Sequence, residues 1–210
     1  MPYPAHQIAF DPRDFATHQS LQRIAAFDKG ASAPTRQAAI DYVVTAHGMS
    51  WDQTKSLLYD GSLNQPGRNV AGDVRIGPSA FDQDLPWLAG VVFHELVHSP
   101  QYVYYGAQGV TNIDPKRSET ERRMIALDEY EAYSWTWKRR LELALSPAQQ
   151  SEIRRRAVRA LIDVDEPKAH GLAEKQQFDA ARDELIRQYN AKPMGSQPPV
   201  SQQKSSPCCR

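Results

Sequence analysis

The chain has 210 residues, of which 40% are hydrophobic and 24% charged, the composition of a folded globular protein rather than a fibrous or disordered one. Its 25 basic and 25 acidic residues cancel, so no positive field argues for a nucleic acid or an anionic membrane as partner. No run approaches the roughly 18 apolar residues of a membrane span, Met1 to His6 lack the basic and apolar regions of a secretory signal, and the adjacent Cys208 and Cys209 cannot make a disulfide framework. The expectation is a cytoplasmic protein, or one exported by a route that reads no Sec signal.

Most predicted elements are helices. Residues 17–28 and 35–47 read as amphipathic helices, with Gly30 and Gly48 just beyond their ends. Ser50-Trp51-Asp52-Gln53 can start a third. Turn residues at 59–62 and 65–67 bracket a strand region. Asp73-Val74-Arg75-Ile76-Gly77 alternates polar and apolar residues, as a half-buried strand does. A helix opens at Asp84 with Pro86 in its first turn, and Pro100 is expected to end it shortly after His98. A Tyr- and Gly-rich loop leads to Asp114-Pro115, and a long helix follows over about 118–145. Ser146-Pro147 caps another helix to about Ile162, and a last one runs from Pro167 or Gly171 to Tyr189. From Ala191 to Arg210, Pro, Ser, Gln and Lys dominate, the composition of a disordered tail. The whole reads as an α+β, mostly helical fold, with one domain over 1–190 and no internal repeat.

Within the helix that starts at Asp84 stands Val92-Phe93-His94-Glu95-Leu96-Val97-His98, an HExxH string. Histidines four apart lie one above the other on a helix face, so both imidazoles can grip one Zn²⁺. Glu95 is placed to act as general base toward a metal-activated water. Leu88, Val91, Val92, Phe93 and Leu96 cover the rest of the helix, which marks it as buried on most sides.

Catalytic zinc takes three protein ligands and leaves one position open. The third is expected from Asp128-Glu129-Tyr130-Glu131-Ala132-Tyr133 on the downstream helix. Glu129 and Glu131 sit about 200° apart around a helix, so one of them faces the metal. Glu129 shares its side with Ile125, Ala126, Ala132 and Tyr133, an apolar seam suited to docking; Glu131 shares a more mixed side with Leu127, Asp128, Trp135 and Lys138. Glu129 is the favoured ligand and Glu131 the alternative.

The HELVH string followed by a helix carrying Glu129-Tyr130-Glu131-Ala132 resembles the gluzincin metallopeptidases, whose glutamate ligand stands in an E-[F/Y]-x-A pattern in the CAAX-prenyl-protease-like groups. Tyr133 occupies a position that is often acidic there. The wider segment, from Val74-Arg75-Ile76-Gly77-Pro78 through Trp87-Leu88 to Gln101, is similar to metallopeptidase domains of bacterial toxins and secretion-system effectors. The resemblance spans about residues 70–137. It implies a zincin-like fold, zinc as cofactor, His94, His98 and Glu129 as ligands, a peptide or protein substrate, and an immunity or carrier protein as partner if the chain is an effector. It also implies that the strand near 73–77 is an edge strand packed on the HExxH helix, where an extended peptide could add itself.

In that reading Glu95 takes a proton from the activated water and passes it to the leaving amine. Tyr133, one turn after Glu129, is the leading oxyanion donor, ahead of Tyr102, Tyr104, Tyr105 and His170. Asp128 is a candidate for orienting a ligand histidine. Two other functions compete. A metal-stabilised binding module would keep the ion without needing Glu95 as a base. A helical di-iron protein would use Glu95-Leu96-Val97-His98 as one ExxH motif, but requires a second, and Glu166 and His170 are one residue too far apart.

Overall fold

The computed structural model describes residues 25–51, 55–164 and 175–191. The elements are helix α1 (Ala33–Ala46), strands β1 (Leu57–Tyr59), β2 (Gly67–Val70) and β3 (Asp73–Ile76), a 3₁₀ turn (Pro78–Phe81), and helices α2 (Leu85–Ala107), α3 (Glu119–Lys138), α4 (Pro147–Val164) and α5 (Lys175–Asn190). The α+β, mainly helical class is as expected. Of the helix expected over 17–28, residues 17–24 fall outside the described residues, and 25–28 are not helical, Ala25 standing at φ 53°. Also outside the described residues lie 52 and 53 of the segment 50–53, the tail from 192 onward, His170, Cys208 and Cys209.

The three strands form one sheet in the order β1-β3-β2, with β1 parallel and β2 antiparallel to β3. The segment expected to be the edge strand is therefore the middle one, and β2 is the edge that reaches the site. β2 and β3 are joined by Ala71 and Gly72, both at positive φ (53° and 92°), the conformation a two-residue hairpin needs to match strand twist. Val74 and Ile76 are fully buried on the face that packs toward α1 and α2.

Asp84 caps α2, its Oδ1 accepting from the Trp87 N–H at 3.0 Å, with Pro86 in the first turn. Pro100 does not end this helix, contrary to the sequence expectation; α2 runs on to Ala107. Proline removes one helical donor and crowds the preceding turn, but tertiary contacts offset that. Asn69 of β2 donates from Nδ2 to the Glu95 carbonyl (2.6 Å) and to Ser99 Oγ (2.9 Å), while Gln101 and Tyr105 beyond the proline are buried against α3.

Two apolar clusters hold the elements. One joins α1, the sheet and the first half of α2 through Ile40, Val43, Val74, Ile76, Leu88 and Val92. The other joins the end of α2 to α3 and α5 through Tyr105, Met124, Leu127, Phe178 and Leu185. His94 and His98 lie between the two. Among the described residues no helix is long and apolar enough to cross a membrane.

Candidate metal centre

Helix α2 presents both histidines on one face, and α3 brings Glu129 against them. His94 Nε2 and His98 Nε2 are 3.3 Å apart. Glu129 Oε2 is 3.3 Å from His94 Nε2, and its Oε1 is 3.6 Å from His98 Nε2. A tetrahedron with metal–ligand bonds of about 2.0–2.1 Å has edges of about 3.3–3.4 Å. The three side chains therefore fit one ion of zinc's size and preference, with two imidazoles and a carboxylate as donors.

Glu131 lies elsewhere. Its Oε2 accepts from Arg182 Nη2 at 2.6 Å and from Gln101 Nε2 at 2.7 Å, and only 5% of its side chain is exposed, against 39% for Glu129. The side of α3 that looked mixed in sequence is the more buried one, because Arg182 of α5 supplies the counter-charge. Asp128 also faces this side. Its Oδ1 accepts from Arg182 at 2.9 Å and from the Tyr105 hydroxyl at 3.2 Å, so its carboxylate does not orient a ligand histidine. Burial pushes its pKa up to about 6 despite the Arg182 charge.

Gln101 takes the place expected of Asp128: His98 Nδ1 donates to Gln101 Oε1 at 2.7 Å. The signal for it was an i,i+3 spacing on one helix, hidden once the helix was taken to stop at Pro100. Among the described residues His94 Nδ1 is buried without a hydrogen-bond partner. Its ring instead packs on Tyr133, with centroids 4.2 Å apart.

Glu95 is buried beside the cluster, and burial lifts its carboxyl to about 7 while the neighbouring His98 charge works against that shift. Glu129 is also pushed up by burial, but the hydrogen bond and charge of His94, with the charges of His98 and Arg156, bring it down to about 2. Gly67 of β2 touches Glu95: a Cβ there would stand 2.5 Å from Glu95 Cγ and 2.6 Å from Oε1. Only glycine allows the strand so close.

Two clefts meet at the cluster. One, of about 630 Å³, is lined by His94, Glu95, Gly67, Trp87, Tyr133 and Arg156. The other, of about 620 Å³, holds His98, Glu129, Tyr102, Asn112 and Ile113. Arg68, Asn69, Tyr102 and Glu129 border both. Of the other tyrosines weighed as oxyanion donors, Tyr102 donates to the Asn69 carbonyl (2.9 Å), Tyr104 to Asp183 on the surface (2.6 Å), and Tyr105 to buried Asp128. Tyr133 lines the cleft beside His94, its hydroxyl hydrogen-bonded by Arg156. Arg156 of α4, on the same wall, belongs to the basic run Arg154-Arg155-Arg156, which in sequence reads as a solvated helix face. Comparisons with protein-family models, with curated proteins and with solved structures find no match.

Proposed function

We propose that this chain is a zinc-dependent metallopeptidase that cleaves peptide bonds in an extended substrate. The observation that carries the reading is Glu95: a buried carboxyl beside a His-His-Glu cluster that faces open clefts rather than a closed shell. His94, His98 and Glu129 are the ligands. A zinc ion held there would supply Lewis acidity and lower the pKa of water in its open position to about 7.

The protein's own groups do the rest. Glu95 takes the proton from the attacking water and delivers it to the leaving amine. Tyr133 donates its hydroxyl proton in a hydrogen bond to the oxyanion. The substrate backbone lies along β2. Gly77 N–H donates to Pro66 O, so antiparallel alternation sends the backbone groups of Gly67 outward, beside Glu95.

A binding module that uses metal only for stability normally closes the fourth position, which two clefts of this size do not support. A di-iron centre needs a second pair of carboxylate and histidine ligands, and the described residues contain only the one group.

The test is Glu95→Gln in the full chain, with zinc content measured alongside cleavage profiling of a cell-lysate peptide pool. The expected result is retained zinc and hydrolysis reduced by about 100-fold or more. Full activity of the variant overturns the base; absence of cleavage by zinc-loaded wild type overturns the peptidase.

A further inference from the structure

We infer that Gln101 and Glu131 are positioning residues of the metal centre: Glu131, held by Arg182, sets the Gln101 amide so that His98 carries its proton on Nδ1 and presents the Nε2 lone pair to the metal. This rests on the metal-binding part of the reading above and not on peptide hydrolysis.

Hydrogen-bond polarity runs inward from α5 to the metal centre. Arg182 is 1% exposed, and as a guanidinium it can only donate. It donates to Glu131 Oε2 at 2.6 Å and to Asp128 Oδ1 at 2.9 Å. Glu131 Oε2 is therefore an acceptor. It takes a hydrogen bond from Gln101 Nε2 at 2.7 Å, and the Asp128 backbone carbonyl takes another at 3.2 Å. Both acceptors claim the NH₂ end of the amide, which leaves its oxygen next to His98. Gln101 Oε1 stands 2.7 Å from His98 Nδ1, and an amide oxygen can only accept. The proton of neutral His98 is thereby assigned to Nδ1, and the nitrogen facing His94 and Glu129 is the bare one. A proton on that nitrogen would block a metal bond.

The ladder joins three helices, α2, α3 and α5, and the side chains of His98, Gln101, Glu131 and Arg182 in it are buried. Without Glu131 as acceptor, only the longer hydrogen bond to the Asp128 backbone carbonyl (3.2 Å) opposes turning of the Gln101 amide. Turned over, the amide would offer NH₂ to His98 and favour the tautomer whose proton points into the site.

The experiment reads the tautomer directly, on metal-free full-length protein at pH 8 carrying ¹⁵N-histidine, by long-range ¹H–¹⁵N correlation. Zinc affinity is measured in parallel by competition with a chromophoric chelator. Wild type is expected to show His98 protonated at Nδ1. Gln101→Met and Glu131→Leu are expected to shift His98 toward the Nε2-protonated form and to bind zinc about 10–100-fold more weakly. Glu131→Gln keeps an oxygen for Gln101 and Arg182 and is expected to hold the wild-type tautomer, with affinity within a few-fold. Gln101→Met leaves the Arg182 ion pairs in place, so it remains informative if Glu131→Leu fails to fold. An unchanged His98 tautomer in Gln101→Met overturns the inference. A wild-type chain that binds no zinc overturns the metal centre and this inference together. Zinc-binding wild type with an unmoved tautomer in the variants overturns this inference alone.

Discussion

His94 and His98 sit one helical turn apart and face the same carboxylate, yet their surroundings are opposites. Behind His98 runs a chain of donors and acceptors ending on a buried arginine of α5. Among the described residues no group behind His94 hydrogen-bonds to Nδ1; the ring rests on Tyr133 and opens on the cleft with Glu95. One ligand is held by polarity and the other by packing. Polar contacts that fix side-chain geometry lie on the His98 side, while Glu95 and Tyr133 line the open cleft on the His94 side.

The largest effect that would break this contrast is expected from Arg182→Met. It leaves Asp128 and Glu131 buried without their cation, at a cost of about 3–5 kcal/mol. Denaturant unfolding of the metal-free protein measures this, and a loss below about 1 kcal/mol would mean the two carboxylates do not depend on α5.

Glu95 provides the next, on the packed side. Its folded pKa is raised, to about 7 from an ordinary 4.5. The folded state thus holds its proton more tightly than the unfolded chain does. The stabilisation is complete below about pH 4.5 and is lost as pH rises through 7, by at most about 3 kcal/mol. The stability of metal-free wild type should fall over that window relative to Glu95→Gln, which has no such proton. Parallel stability–pH curves for the two proteins would remove the effect of burial.

The smallest expected effect is that of Tyr133→Phe. Removing the hydroxyl should lower kcat about 10–100-fold while leaving KM and zinc affinity near wild type. A loss of zinc affinity instead would place Tyr133 among the holding groups and blur the division between the two sides.

Much of the site was legible because it is local. Four-residue spacing put two histidines on one face, and the Asp84 cap with Pro86 marked where their helix begins. The choice of Glu129 over Glu131 rested on the neighbours of each, and the geometry places Glu129 at the histidines. What was not legible depends on contacts far apart in the chain. Nothing near Glu131 announces Arg182, which meets it from another helix. The Pro100 rule is sound for an isolated helix, but Asn69 of a different element keeps this one intact, and Gln101 was lost with the turn that carries it. Strands β1 and β2 are three and four residues long, too short to show periodicity, so the pairing that moved β3 to the middle of the sheet had no signature in Leu57–Tyr59 or Gly67–Val70.

The Tyr102 hydroxyl seated on the Asn69 carbonyl has a consequence for any chain laid along that rim. One of the rim's outward acceptors is already taken from within, while antiparallel alternation turns both backbone groups of Gly67 outward. Strand ladders repeat every second residue, so pairing at Gly67 favours one alignment and disfavours a slip in either direction. In such an enzyme the bond to be cut would be selected first by where the backbone can latch, and only then by the side chains on either side of it.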